Sequence, residues 1–228
     1  LIEKIVALGE RAGTRAFAST PSAPIKLRPR PMVTTQPAAL LIAASTGGPT
    51  ALPAFLAPIA RRIEAPILIV QHMPASFTPV FAEKLEAAIG KHCREAREGD
   101  TLSPGTVLLA PGDKHMRIAR CPAGRMIHLD QGEPVNYCRP AADPLFETAA
   151  AAFGSRLLCV VLTGMGHDGR AGAGKIVEAG GRVIVQDEAT SVVWGMPGSV
   201  AQAGYAEAVK PLKELSQLAL RMMSGEAA

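Results

Sequence analysis

The sequence predicts an α/β domain with a doubly wound, mainly parallel sheet, helices on its two faces and an antiparallel β insertion. Short apolar runs such as Ala39–Ala44 alternate with longer segments of helical spacing, which is typical of βαβ units. A composition that is 48% hydrophobic and 19% charged indicates a globular core. A chain of 228 residues is long enough for one domain of this class.

The amino-terminal region is predicted to be a linker. Leu1–Ala16 has helical spacing, and Ser19–Pro37 is rich in proline and basic residues. Repeated proline blocks both helices and central strands. We therefore expect residues 1–36 to be an interdomain linker, with a basic docking segment as the alternative, and residues 37–228 to be the folded domain. Because the first residue is leucine, we expect the chain to be a piece of a longer protein.

Strands and helices alternate in the first part of the domain. We expect this order: strand Ala39–Ala44, helix Thr50–Arg62, strand Pro66–Gln71, helix Ser76–Gly90. In the second helix, apolar residues recur every four positions, and Gly90 is placed to end it.

The middle of the chain breaks this alternation. Four short strand candidates follow one another without helices between them: Cys93–Ala96, Thr106–Ala110, His115–Ala119, Met126–Asp130. Because Gly, Pro and Asp turns separate them, we expect them to form the antiparallel insertion.

The alternation resumes towards the carboxyl end. We expect these elements: helix Asp143–Phe153, strand Leu157–Leu162, helix Arg170–Gly180, strand Arg182–Gln186, helix Pro211–Met223. Asp143 is expected to be the N-cap of its helix. Trp194–Pro197 is expected to be a loop with an exposed aromatic residue, either a core lid or a substrate wall.

Composition argues against several classes of function. A net charge of +4 without basic stretches interleaved with aromatic residues does not favour nucleic-acid binding. No apolar run has the length of a membrane span, so membrane insertion is not expected. The four cysteines lack the CxxC spacing, and a reduced, cytoplasmic setting is expected.

Three residue types suited to nucleophilic catalysis follow apolar strand candidates. Ser45 follows Ala39–Ala44, His72 follows Pro66–Gln71, and Asp168 follows Leu157–Leu162. A serine hydroxyl needs a base within hydrogen-bond reach, and the base needs a carboxylate that fixes its tautomer. Because the carboxyl ends of parallel strands meet at one edge of a sheet, the three residues are expected to converge there.

Each of these residues also has a simpler interpretation. Ser45 and Asp168 are candidate helix caps, and His72 is a candidate structural histidine. Gly47 and Gly48 suit a phosphate-binding loop, but the P-loop ending is missing. A non-catalytic module that binds an anion through the Ser45–Gly48 loop is therefore an alternative. His167 beside Asp168 lacks a third ligand at matching spacing, and no metal or cofactor is expected.

Several of these segments resemble the signature turns of the chemotaxis receptor methylesterase (CheB) family. The resemblance runs from about Ala39 to Ala203 and is carried by these segments: Ala44–Pro49, Gln71–Pro74, Val135–Pro140, Leu162–Gly169, Trp194–Pro197. The order serine, histidine, aspartate differs from that of α/β-hydrolases. Where family members often have Asn before the aspartate, this chain has His167.

The resemblance implies a cytoplasmic esterase acting on γ-glutamyl methyl esters of chemoreceptor helices, with deamidation of receptor glutamines as a further activity. It implies that Ser45 is the nucleophile, His72 the general base and acid, and Asp168 the group that orients His72. It also places the Met165 backbone N–H and Thr46 in the oxyanion and substrate pocket. A serine acyl hydrolase acting on another ester is the alternative.

The family usually carries a receiver domain that is phosphorylated by a histidine kinase and covers the site until then. No acidic cluster typical of that domain precedes Pro37. The resemblance therefore implies that residues 37–228 are the methylesterase catalytic domain and that its site is constitutively accessible in this fragment.

Overall fold

A seven-stranded sheet forms the centre of the computed structural model, which describes residues 25–29, 36–122 and 124–225. In chain order the strands are β1 (Ala39–Ala44), β2 (Ile67–Gln71), β3 (Cys93–Glu95), β4 (Val107–Leu109), β5 (His115–Cys121), β6 (Gly124–Asp130), β7 (Leu157–Val161), β8 (Arg182–Gln186), β9 (Ala208–Lys210). The sheet has the order β3-β4-β2-β1-β7-β8-β9, and all its neighbouring strands are parallel. The predicted fold class is confirmed.

Helices cover both faces of this sheet. They are α1 (Gly48–Leu56), α2 (Thr78–Ile89), α3 (Ala142–Phe153), α4 (Arg170–Glu178), α5 (Gly195–Gln202), α6 (Leu212–Met223). Leu41 and Ala43 of β1 pack into a core with α3, α4 and α5. Leu40 and Ile42 pack into a second core with α1, α2 and α6. Strands buried on both faces have continuous apolar sequences, which is why β1 was recognisable.

The antiparallel insertion is smaller than expected. Of the nine strands in the described residues, only β5 and β6 pair with each other in antiparallel fashion, and Ile118 and Ile127 of this hairpin pack in the core that contains α3. The prediction was wrong for β3 and β4, which are parallel members of the main sheet. A short apolar run has the same composition in either orientation, and a crossover without a helix joins β3 to β4.

Some helix and strand boundaries differ from those expected. The expected helix Thr50–Arg62 ends at Leu56, and a short 3₁₀ helix follows at Ala60–Arg62. Gly90 ends α2 in the left-handed conformation with φ 61°, as expected. Two elements were not predicted: α5, which begins at Gly195, and the short edge strand β9.

Part of the amino-terminal region packs on the domain. Arg28 N–H donates to the Ala206 carbonyl at 2.9 Å, and its guanidinium donates to the Gly181 carbonyl at 3.0 Å. The expected helix Leu1–Ala16 lies outside the described residues. Within the described ranges, no helix has both the length and the apolarity needed to traverse a bilayer.

A buried ion pair joins β8 to the segment before β9. Both carboxylate oxygens of Glu207 accept from Arg182 Nε at 3.1 Å, and Glu207 Oε1 also accepts from Arg182 Nη2 at 2.5 Å. The two side chains are almost completely buried. Removing one partner leaves the other charge buried without compensation.

We therefore expect Glu207→Ala to lower the free energy of unfolding by about 3–5 kcal/mol, measured by urea denaturation. The control is Glu178→Ala, which removes the exposed pair with Lys175 and should leave the midpoint unchanged. Equal midpoints for Glu207→Ala and the wild type would contradict this assignment.

Candidate active site

Three loops meet at the carboxyl edge of the sheet around the end of β1. Ser45 follows β1 and His72 follows β2, and the two strands pair with Ala44 opposite Gln71. The loop after β7 lies beside them because Ser45 N–H donates to the Thr163 carbonyl at 3.0 Å. The helices that follow β1 and β7 pack on opposite faces of the sheet. This arrangement opens a crevice at the strand ends, where ligands bind in doubly wound folds.

A hydrogen bond of 2.7 Å joins His72 Nε2 to Asp168 Oδ2. An ionised carboxylate only accepts, so Nε2 carries the proton and Nδ1 is the basic nitrogen of the neutral ring. The two side chains are 11% and 2% exposed. Solvent ions therefore screen this interaction weakly.

Asp168 also binds the amino-terminal end of α3. Its carboxylate accepts from Ala142 N–H at 2.6 Å and from Asp143 N–H at 3.2 Å. Burial alone would raise the pKa of Asp168, but hydrogen bonds from His72, Ala142 N–H and Asn136 outweigh burial and lower it. The partial positive charge of a helix amino terminus favours the same ionised form.

Two cap predictions are corrected by this geometry. Asp143 lies inside the first turn of α3 rather than at the N-cap, which is Ala141. The alternative that Asp168 caps the helix following it is also wrong, because Gly169 is the N-cap of α4. The cap of α3 comes from a loop distant in sequence, which no local pattern indicates.

A second carboxylate, that of Asp143, is linked to Asp168 through Asn136. Asn136 Nδ2 donates to Asp168 Oδ1 at 3.0 Å and to Asp143 Oδ2 at 2.9 Å. Asp143 Oδ1 accepts from Gly172 N–H at 2.7 Å. Burial and the negative charge of Asp168 raise the pKa of Asp143. The sequence analysis did not assign Asn136 to the site, although it lies in the Val135–Pro140 segment that carried part of the resemblance.

The other nitrogen of His72 faces a thiol. Cys138 Sγ lies 3.4 Å from His72 Nδ1. Burial acts to lower the pKa of His72, but the hydrogen bonds and charges of Asp168 and Cys138 outweigh it and raise the pKa to about 9. Cys138 was not among the predicted site residues, because nothing local in the sequence indicates that it reaches His72.

Ser45 is held through its backbone. Its N–H donates to Thr163, and its carbonyl accepts from Gln71 Nε2 at 3.0 Å. Gly47, with φ 85°, is the N-cap of α1, so the interpretation of Ser45 as a helix N-cap is wrong. Within the part of the chain that the structure describes, the Ser45 hydroxyl has no hydrogen-bond partner.

The expected pocket residues flank Ser45. The Thr46 carbonyl accepts from Thr163 Oγ1 at 2.9 Å. Met165 is exposed, and among the described residues nothing accepts a hydrogen bond from its backbone N–H. A Cβ on Gly164 would lie 2.9 Å from Ser45 Cβ, so the loop carrying Met165 approaches Ser45 closely. His167 is exposed beside it.

The segment around Trp194 is hydrogen-bonded to the loop that carries Met165. Gly164 N–H donates to the Val193 carbonyl at 2.9 Å. Trp194 is half-buried against the core, and its Nε1 donates to the Gln186 carbonyl at 2.8 Å. The expectation of an exposed aromatic residue in a loop is therefore wrong. In residues 25–29, 36–122 and 124–225, no group of three or more His, Cys, Asp or Glu side chains is arranged to bind a metal ion.

Comparisons with known proteins identify the family. Residues 40–219 match the family model described as CheB methylesterase. Protein-glutamate methylesterase/protein-glutamine glutaminase 2 of Caulobacter vibrioides is 50% identical over 223 residues, which is 94% of this chain and 62% of that protein. The protein-glutamate methylesterase/protein-glutamine glutaminase of Nitrobacter hamburgensis is 48% identical over 217 residues, which is 93% of this chain and 56% of that protein. The chain thus spans less than two thirds of the length of these relatives.

A solved structure agrees with this match. The CheB methylesterase catalytic domain of Thermotoga maritima superposes with a TM-score of 0.79 at 37% identity, covering 82% of this chain and 100% of that chain. The chain belongs to the CheB methylesterase family.

Proposed function

We propose that this chain is a serine-type protein-glutamate methylesterase that hydrolyses γ-glutamyl methyl esters on chemoreceptors and also deamidates receptor glutamines. The observation that carries the proposal is the 2.7 Å bond between His72 and Asp168 beside Ser45 at the sheet edge. The family match and the names of the relatives support the glutamyl substrate.

Ser45 is the proposed nucleophile because it adjoins His72 on the neighbouring strand. Ser45 and His72 follow directly on the paired residues Ala44 and Gln71 of two parallel strands, which lie about 4.8 Å apart, so the two residues are neighbours at the sheet edge. In the proposed reaction, Ser45 Oγ attacks the ester carbonyl and His72 Nδ1 accepts its proton. Asp168 stabilises the resulting imidazolium through Nε2.

The same proton then completes the acyl transfer. His72 donates it to the methoxide oxygen, methanol leaves, and an acyl-enzyme remains on Ser45. Water activated by His72 hydrolyses the acyl-enzyme and releases glutamate. With a glutamine substrate the leaving group is ammonia, and the other steps are unchanged.

Backbone N–H groups near Ser45 are the proposed oxyanion donors. The Met165 N–H suits this role because it is free of protein acceptors among the described residues and lies in the loop that approaches Ser45. The carbonyl of Thr46 is bonded to Thr163, which fixes this pocket residue next to the nucleophile. Donors fixed before the reaction stabilise developing charge without reorganisation.

The wider assembly belongs to the same proposal. Residues 37–228 form the catalytic domain and residues 1–36 the linker, and the substrate is the methylated cytoplasmic helix of a chemoreceptor. A receiver domain phosphorylated by a histidine kinase regulates the complete protein in the cytoplasm. The greater length of the relatives leaves room for such a domain.

Methanol release from a methylated chemoreceptor tests Ser45 as the nucleophile. We expect the wild-type chain to release methanol and Ser45→Ala to be slower by about 10⁴-fold or more, since triad members act as a unit. The control is Ser155→Ala, an exposed serine before β7 at the opposite edge of the sheet, which should keep the wild-type rate.

Retention of most activity by Ser45→Ala would refute the nucleophile. If neither the wild type nor Ser45→Ala releases methanol from the receptor, but the wild type hydrolyses a generic ester, the chain is a serine hydrolase of another substrate. No serine reactivity, together with a Tm that phosphate raises, would instead indicate an anion-binding module.

The raised pKa of His72 determines how kcat/KM depends on pH. His72 must be neutral to accept the Ser45 proton, and its pKa is raised from 6.5 to about 9. We therefore expect kcat/KM to increase with pH and to level off near that value, after subtraction of the rate of Ser45→Ala. A profile already level at neutral pH would contradict a raised pKa of His72.

A further inference from the structure

The Cys138 thiol lies where the proposed mechanism requires the nucleophile. Its sulfur is 3.4 Å from His72 Nδ1, the nitrogen that must accept the Ser45 proton. Because Nε2 donates to Asp168, the Nδ1–H of a charged His72 ring donates to the Cys138 sulfur, and this contact favours the charged form of His72. No step of the proposed mechanism uses this contact.

The backbone around Cys138 is shaped for this contact. Val135 and Cys138 exchange backbone hydrogen bonds of 3.1 and 2.9 Å and close a two-residue turn. Asn136 and Tyr137 inside it have φ values of 52° and 63°, the signs of a type I′ turn. This conformation is unfavourable for tyrosine, and the Tyr137 side chain is fully exposed, so its own packing does not compensate.

The strained turn contacts both members of the His72–Asp168 pair. Asn136 donates to Asp168, and Cys138 contacts His72. Strain that persists in a native structure is typical of sites where the backbone positions functional groups. The turn therefore holds both side chains of the pair in place.

We propose that Cys138 is a positioning residue whose thiol holds the Nδ1 edge of His72 until the Ser45 hydroxyl replaces it. In the resting site the sulfur accepts from the charged ring at Nδ1 and keeps the ring against Asp168. During the reaction the sulfur yields this position to Ser45. The inference rests on the proposed function only in naming Ser45 as the replacing group.

A role as nucleophile fits the geometry less well. The contacts from Cys138 through His72 to Asp168 follow the order of a thiol triad, but the loop that offers a free Met165 N–H packs against Ser45. A nucleophile needs such donors beside the carbonyl it attacks. We therefore assign Cys138 to positioning.

The titratable groups that face the His72 ring are few among the described residues. They are the Asp168 carboxylate from the loop after β7 and the Cys138 thiol from the turn before α3. The Asp143 carboxylate of α3 is linked to Asp168 through the Asn136 amide. Loss of the thiol changes one of these groups and leaves both carboxylates in place. Its effect on His72 is therefore measurable by itself.

The test is an NMR titration of His72, which does not depend on activity. We expect Cys138→Ala to lower the pKa of His72 and to make its ring signals less ordered. Cys138→Ser, which keeps a hydrogen-bond acceptor for Nδ1–H at the same position, should restore most of the effect. Cys121→Ala removes the other half-buried thiol, in the β5–β6 hairpin, and should change nothing. An unchanged His72 pKa in Cys138→Ala would overturn the inference.

Kinetics distinguish the remaining outcomes. We expect kcat/KM of Cys138→Ala to level off at lower pH than in the wild type, with Cys138→Ser in between. Iodoacetamide should inactivate the wild type and Cys121→Ala but not Cys138→Ser. Loss of activity in both Cys138 variants, with activity retained in Ser45→Ala, would make Cys138 the nucleophile and overturn the positioning role. A shifted His72 pKa without methanol release by the wild type would refute the proposed function and leave the positioning intact.

Discussion

The hydrogen bonds from the amino terminus of α3 to Asp168 are the constraint on which the site depends. They keep a buried carboxylate ionised, because the N–H groups of Ala142 and Asp143 and the helix dipole replace the water that burial removes. An ionised Asp168 in turn fixes the tautomer and the orientation of His72. These tertiary hydrogen bonds thus link the packing of α3 on the sheet to the chemistry of the imidazole at the end of β2.

The rest of the fold makes this arrangement rigid. α3 packs in the same core as β1 and α4, and Gly172 N–H of α4 binds Asp143 at the start of α3. The groups that move in the proposed reaction are correspondingly few: the Ser45 hydroxyl, the Cys138 sulfur, the ester and the protons. Catalytic groups mounted on rigid elements and supported by further hydrogen bonds keep their geometry. The Val135–Cys138 turn supplies that support on the solvent side.

The sequence predicted the features that repeat along the chain. Parallel strands buried on both faces have continuous apolar runs, so β1, β2, β7 and β8 were predicted within a residue, and the turns after them supplied Ser45, His72 and Asp168 as candidates. Contacts between distant segments leave no local pattern. The cap of α3 by Asp168, the thiol of Cys138 at His72 and the parallel pairing of β3 and β4 all depend on tertiary packing and were missed for that reason.

Covalent labelling measures whether the helix-bound Asp168 activates Ser45 through His72. A fluorophosphonate reacts with an activated serine, and peptide mass spectrometry locates the label. We expect one label, on Ser45, and a reaction slower by about 10⁴-fold in Asp168→Asn, in which the amide still accepts from α3 but no longer fixes the His72 tautomer. An unchanged rate in Asp168→Asn, or a label on another residue, would contradict this activation of Ser45.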